Sequence, residues 1–261
     1  MRIACLQMDM LPAQPEENFQ KAKQLVETAM RYEPDVLLFP ETWNTGFFPQ
    51  KDLPIHCDRA GEQVSRILGS LAKKYAVNIV AGSVSDLRDG NVYNTAYIFD
   101  RSGRRIASYS KTHLFTPMGE DKAYAPGDSL CTFILDGVPC AILICYDLRF
   151  PELARSLALQ GAQLLFVPSQ WPAERLHHLH SLLAARAIEN QMFVACCNSC
   201  GSTENTKFGG ESMILDPVGM EIAHAASREE TLIADIDISS VSAIRQSINV
   251  FHDRRPELYR L

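Results

Sequence analysis

The chain has 261 residues, 46% of them hydrophobic and 21% charged, which is ordinary globular composition and excludes the disordered and fibrous classes. Its 25 Lys and Arg against 31 Asp and Glu give a net charge of −6, and with no basic run nucleic acid and acidic membrane surfaces are poor partners. No linker or low-complexity stretch divides the sequence, so a single domain over residues 1–261 is expected.

Taken in chain order, hydrophobic periodicity and turn residues predict a strand over Arg2–Met8, a helix over Pro15–Tyr32, a strand over Val36–Phe39 and a helix over Val64–Tyr75. Strands follow over Asn78–Ser85, Asn91–Phe99, Ile106–Ser110, Thr132–Leu135 and Val138–Ile144, then a helix over Pro151–Gln160 and a strand over Leu164–Val167. A helix over Ala173–Asn190, strands over Phe193–Asn198, Gly210–Leu215 and Thr231–Ile236, and a helix over Ser239–Ile248 complete the α/β pattern. In the first helix Phe19, Ala22, Leu25, Val26 and Ala29 recur at spacings of three and four and form one apolar stripe.

An internal echo links the two halves. Asp35–Glu41 (DVLLFPE) resembles Gln163–Ser169 (QLLFVPS), and each follows a strand and a helix. Apolar strands such as Val36–Phe39 need cover on both faces, so the echo predicts two sheets stacked face to face with helices outside, a four-layer α-β-β-α sandwich.

The eight cysteines, Cys5, Cys57, Cys131, Cys140, Cys145, Cys196, Cys197 and Cys200, lie mostly in apolar stretches and read as reduced thiols. Met1–Leu11 lacks the pattern of a secretion signal, and Leu130–Cys145 is broken by Asp136, Gly137 and Pro139, so no membrane span is expected. A cytoplasmic protein fits these readings.

Three reactive side chains fall at the ends of apolar strands, where α/β sheets build their sites: Glu41, Lys111 and Cys145. Cys145 precedes a helix opened by Pro151, and a nearby helix N-terminus favours a thiolate. A thiol attacking a carbonyl needs a base, and a partly buried Glu41 can serve, then protonate the leaving group. The Lys111 ammonium and the Tyr146 backbone N–H are candidates to hold the oxyanion. His113 is a rival base, because along an extended strand it shares a face with Lys111, and Cys–His pairs are the commoner thiol design.

Phe39–Glu41 (FPE), Tyr109–Phe115 (YSKTHLF) and Ile144–Glu152 (ICYDLRFPE) resemble the three signature blocks of the nitrilase superfamily of carbon–nitrogen hydrolases, and further matches extend over nearly the whole chain. The resemblance implies the α-β-β-α sandwich, a homodimer or larger homo-oligomer, no metal or other cofactor, and hydrolysis of a small amide through a cysteine thioester. It favours Glu41 over His113 as base, with His113 as a packing or hydrogen-bonding group, and Glu120 resembles a second glutamate that orients the lysine. Trp43–Gly46, Gln170–Pro172 and Arg175–His178 are most similar to bacterial ω-amidases, implying an ω-amide substrate such as 2-oxoglutaramate; Phe47, His113 and Trp171 are candidates for the substrate pocket.

An N-carbamoyl-amino-acid hydrolase or an aliphatic nitrilase would use the same three residues, and a non-catalytic scaffold of the same fold is a more distant alternative. Arg149 and Arg186 read as structural ion pairs with Glu152 and Glu189 rather than as substrate clamps. A zinc site from Cys196, Cys197 and Cys200 with His177, His178 and His180 is disfavoured, since Phe193–Cys197 reads as a buried strand.

Overall fold

The computed structural model describes residues 1–46, 52–203 and 205–259. Its first sheet runs Glu230–Asp235, Arg2–Gln7, Val36–Leu38, Asn78–Val80, Asn91–Phe99, Val84–Arg88 and Asp58–Arg59, with Arg105–Ser110 also paired to Asn91–Phe99. The second runs Glu221–His224, Met213–Leu215, Phe193–Asn198, Leu164–Ser169, Val138–Ile142 and Thr132–Leu135. Each sheet has three adjacent parallel strands flanked on both sides by antiparallel neighbours, and the short edge strand Asp58–Arg59 of the first sheet pairs parallel with Val84–Arg88. Val36–Leu38 and Leu164–Ser169, the two copies of the echo, are the middle strands of these trios.

Alternation along the strands sets the layers. Ile3, Cys5, Val36 and Leu38 join Phe166, Ala195 and Cys197 in one buried cluster between the sheets. Ala4, Leu6 and Leu37 point the other way, onto Phe19, Ala22 and Val26 of the helix Pro15–Ala29 and onto Val64, Leu68 and Leu71. Beyond the second sheet, helices Pro151–Leu159 and Leu176–Asn190 supply Leu153, Leu157, Leu179 and Leu183. The result is helix, sheet, sheet, helix, as the echo predicts. Pro15 opens the first helix with Glu16 and Glu17 in its first turn, where fixed φ and negative charge suit a helix N-terminus.

The structure departs from the predicted elements in two informative places. The expected strand Asn78–Ser85 is interrupted between Val80 and Val84. Val80 opposes Ile98 and Val84 opposes Thr95, so the broken strand holds one residue more than its partner, a bulge at Gly82. Gly82 has φ +60°, and a Cβ there would sit 2.0 Å from the Pro40 carbonyl oxygen. Only glycine lets the backbone pass this close, and Ser83 then donates its N–H to Pro40 O at 3.0 Å, fixing the turn that carries Glu41. The segment Glu62–Tyr75 is helical throughout, but Ser65–Gly69 within it is π-helical.

No helix of the described residues is long and apolar enough to cross a membrane.

Candidate active site

Glu41, Lys111 and Cys145 meet where strands of both sheets end. Glu41 follows Val36–Leu38 and accepts the backbone N–H of Gln170 on Oε2 at 3.0 Å, while its own N–H donates to Ser169 O across the sheet interface at 3.3 Å. Lys111 continues Arg105–Ser110, its N–H donating to Asn94 O at 2.9 Å and its carbonyl accepting from Gly127 at 2.8 Å. Cys145 begins a single 3₁₀ turn, Cys145–Arg149, with φ +47°, a left-handed strain of the kind that nucleophile elbows carry.

The lysine is enclosed by acids. Its Nζ lies 2.7 Å from Glu41 Oε1 and 2.9 and 2.8 Å from the two oxygens of Glu120, and all three side chains are at most 1% exposed. Glu120 is held in turn by the Phe115 N–H at 2.6 Å. The Asn94 amide donates to Glu41 Oε1 at 2.8 Å and to Glu120 Oε1 at 3.2 Å, tying the carboxylates together.

Burial pulls the lysine's pKa down, but the attraction of Glu41 and Glu120 outweighs it and holds the ammonium well above its ordinary value. Burial raises Glu41 above the usual carboxylate range, and the charge of Glu120 adds to that while Lys111 opposes it. The Cys145 thiol is pushed well above its ordinary value by burial first and by the Glu41 charge second, against the weaker pull of Lys111 and the Gln170 N–H. The expectation of a resting thiolate is therefore corrected: one 3₁₀ turn supplies too little field to offset desolvation beside a carboxylate. Burial thus favours the protonated thiol, which is hydrogen-bonded to Glu41, while the two acids hold the proton on the lysine.

Above the sulfur is a narrow cavity lined by Lys111, Phe115, Met118, Cys145, Tyr146, Arg149, Gln170, Trp171, Pro172 and Arg175. Tyr146 follows the sulfur into the first turn, where backbone N–H groups lack intrahelical partners. Trp171 forms a wall, its indole N–H donating to Arg175 O at 2.9 Å. Arg149 lies 4.8 Å over the Trp171 ring and Arg175 5.3 Å over Phe115, so two guanidinium groups border the cavity.

Other expectations resolve differently. Phe47 lies outside the described residues. His113 is not in the cavity: Nδ1 and its backbone N–H both meet Asp147 Oδ1 at 2.9 Å, and its ring stacks on Phe150 at 3.6 Å. The strand ends at Ser110, so the alternation that would align His113 with Lys111 no longer applies. Asp147, wholly buried, also accepts from Tyr109 OH at 2.7 Å and Ile144 N–H at 3.1 Å, which makes His113 part of the brace under the cysteine turn. Arg186 does pair with Glu189, at 2.8 Å, and also donates to Leu148 O at 2.7 Å. Arg149 faces the cavity instead of Glu152. Cys196 and Cys197 are buried within their strand, as expected, and form no metal-holding group with the three histidines among the described residues.

Two site residues escaped sequence reasoning. Asn94 is a polar residue in the middle of an otherwise buried strand, a signal visible in the sequence. Gln170 acts through its backbone N–H, which no side-chain pattern reveals.

Comparison with known proteins places these features in context. Residues 2–246 match the carbon-nitrogen hydrolase family. A 2-oxoglutaramate amidase of Bacillus subtilis is 44% identical over 257 residues, 98% of each chain. A human omega-amidase is 30% identical over 271 residues, covering 99% of this chain and 96% of the relative. An amidase from Nesterenkonia sp. superposes with a TM-score of 0.87 at 28% identity over 99% of this chain and 94% of its own. A variant of the Nesterenkonia sp. AN1 amidase, at the same TM-score and identity over 99% and 95% of the chains, carries the acetamide moiety of fluoroacetamide covalently added at its active-site cysteine.

Proposed function

The chain belongs to the carbon–nitrogen hydrolase family, and from that premise we propose that it hydrolyses the ω-amide of a short oxo acid, 2-oxoglutaramate, to the dicarboxylate and ammonia. The observation that carries this reading is the Glu41–Lys111–Cys145 cluster at the base of a cavity bordered by Arg149 and Arg175. The cluster suits attack on a neutral amide carbon; the two guanidinium groups suit a carboxylate at the far end of the same small molecule. The B. subtilis 2-oxoglutaramate amidase supports the same substrate.

The mechanism follows from the placement of the three groups. As the amide carbon approaches, the Cys145 proton passes to Glu41 and the sulfur bonds to carbon. The carbonyl oxygen becomes an oxyanion that the Lys111 ammonium and the Tyr146 N–H stabilise. The intermediate collapses with cleavage of the C–N bond, and protonated Glu41 gives its proton to the departing nitrogen, releasing ammonia. Water enters the vacated space, Glu41 removes its proton, and hydroxide attacks the thioester. Collapse breaks the C–S bond and frees the carboxylic acid, which loses its proton to solvent, while the proton on Glu41 returns to sulfur.

Glu120 and Asn94 position Lys111 and Glu41, and Trp171 walls the acyl group. The resemblance extends this reading to a homodimer or larger homo-oligomer in the cytoplasm, acting on a small molecule without a cofactor in the reaction. All eight cysteines are free, which suits a reducing compartment. Ammonia release from 2-oxoglutaramate, glutaramate, N-carbamoyl-β-alanine and an aliphatic nitrile tests the proposal. The highest kcat/KM is expected with 2-oxoglutaramate; a preference for the carbamoyl compound or the nitrile overturns it.

A further inference from the structure

We propose that His180, Glu211 and His224 form a binding site for a divalent transition-metal ion of the zinc class, sharing no residue with the cavity beside Cys145. Three segments converge there. His180 projects from the helix Leu176–Asn190, His224 ends the edge strand Glu221–His224, and Glu211 precedes Met213–Leu215. One donor atom from each lies within 4.8 Å of the others. Zinc–nitrogen and zinc–oxygen bonds of about 2.0–2.2 Å require donors no more than roughly 4.4 Å apart, so small side-chain rotations close the site.

The polar atoms of the group are arranged for a cation rather than for one another. His180 Nε2 is cut off from solvent and makes no aligned hydrogen bond, although Glu211 Oε2 is only 3.1 Å away. His224 Nε2 is 3.8 Å from that same oxygen, too far for a hydrogen bond, and the two rings stand edge to face at 5.3 Å. Two ring nitrogens thus converge on one carboxylate oxygen without bonding it well. The other nitrogen of His224, Nδ1, lies 3.2 Å from Glu221 Oε2. A carboxylate on the far ring nitrogen is the outer support that metal-binding histidines use, and it leaves the Nε2 lone pair directed inward. The side chains are 31%, 29% and 33% exposed, which leaves room for ion entry and for water as a remaining ligand. Two imidazoles and a carboxylate suit zinc, nickel, copper or iron better than magnesium or calcium. Bound metal would staple the helix Leu176–Asn190 to the outer edge of the second sheet.

The test uses the full chain, alkylated under native conditions so that accessible thiols do not compete, and titrated with zinc chloride by calorimetry. One equivalent with micromolar affinity is expected, together with a rise in Tm of about 5 °C or more at a hundredfold excess over Kd. Cobalt should give a visible spectrum without a sulfur charge-transfer band. The H180Q and H224Q variants should each lose roughly a hundredfold or more in affinity, and E221Q about tenfold through the outer support. The proposal is overturned if the alkylated chain shows no saturable zinc binding, if the cobalt spectrum reports sulfur ligation, or if Kd is unchanged in H180Q and H224Q. Should these variants lose stability in a parent that binds no metal, the cluster is a His–carboxylate pin and the proposal likewise fails.

Discussion

Replacing Glu120 by Gln separates the two jobs of the buried acids. The substitution keeps size and an oxygen for the Phe115 N–H, but removes a negative charge that contacts Lys111 Nζ at 2.8 and 2.9 Å. Because Glu41 and Glu120 both touch that nitrogen, their contacting oxygens lie within about 5.5 Å of each other, where like charges repel by about 3 kcal/mol at an effective dielectric of 20. That repulsion helps to raise Glu41, so its loss should lower the Glu41 pKa. Glu41 must be a carboxylate to take the thiol proton, so activity falls as pH drops through its pKa. In E120Q the acid limb of kcat/KM therefore moves to lower pH. The ammonium also loses charge-assisted hydrogen bonds worth about 1.5–3 kcal/mol each, and kcat should fall by roughly 10–100-fold. Ammonia release followed across pH, with circular dichroism and Tm to establish folding, reads both effects. An acid limb at the wild-type position with kcat within about threefold of wild type would refute the electrostatic argument.

Asn94→Ala should move the same limb the other way, to higher pH, because it removes a donor to the Glu41 carboxylate at 2.8 Å; kcat should fall about tenfold, and a shift to lower pH contradicts the assignment. Gly82→Ala forces a Cβ to within 2.0 Å of Pro40 O at φ +60°, and should cost about 3 kcal/mol or more; thermal unfolding within 2 °C of wild type (~0.5 kcal/mol) would contradict this. Arg149→Ala should raise KM for 2-oxoglutaramate by roughly 10–100-fold while sparing a neutral amide such as propionamide, and equal losses for both would remove Arg149 from carboxylate recognition.

Local pattern made the frame legible. The repeated apolar strand ending in proline appears twice because two like units stack through their continuous apolar faces, and the alternation of Ile3, Ala4, Cys5 and Leu6 assigns the layers. Glu41, Lys111 and Cys145 were visible because strand ends expose side chains where sheets stop. What lay hidden depends on contacts between distant segments or on backbone groups. Gln170 reaches Glu41 through an N–H, and the protonation of Cys145 depends on burial next to a carboxylate far away in sequence. His113 packs and hydrogen-bonds as the resemblance implies but stays out of the substrate pocket, because the strand ends before it and Asp147 recruits its ring. The bulge at Gly82 was hidden for a similar reason, since the Pro40 carbonyl that requires it belongs to another strand's turn. Arg149 was read as half of a helix-surface pair because nothing local shows the Trp171 ring waiting on the other side.

The central claim is that Cys145 forms the covalent acyl intermediate. Mixing the protein with 2-oxoglutaramate, quenching in acid within the first turnovers and mapping the digest by mass spectrometry tests it directly. The account predicts a single acyl adduct on the peptide containing Cys145, absent from Cys145→Ala, which should also lose several orders of magnitude in turnover. Ammonia release at the wild-type rate from Cys145→Ala, or an acyl group carried by another of the eight cysteines, would contradict it.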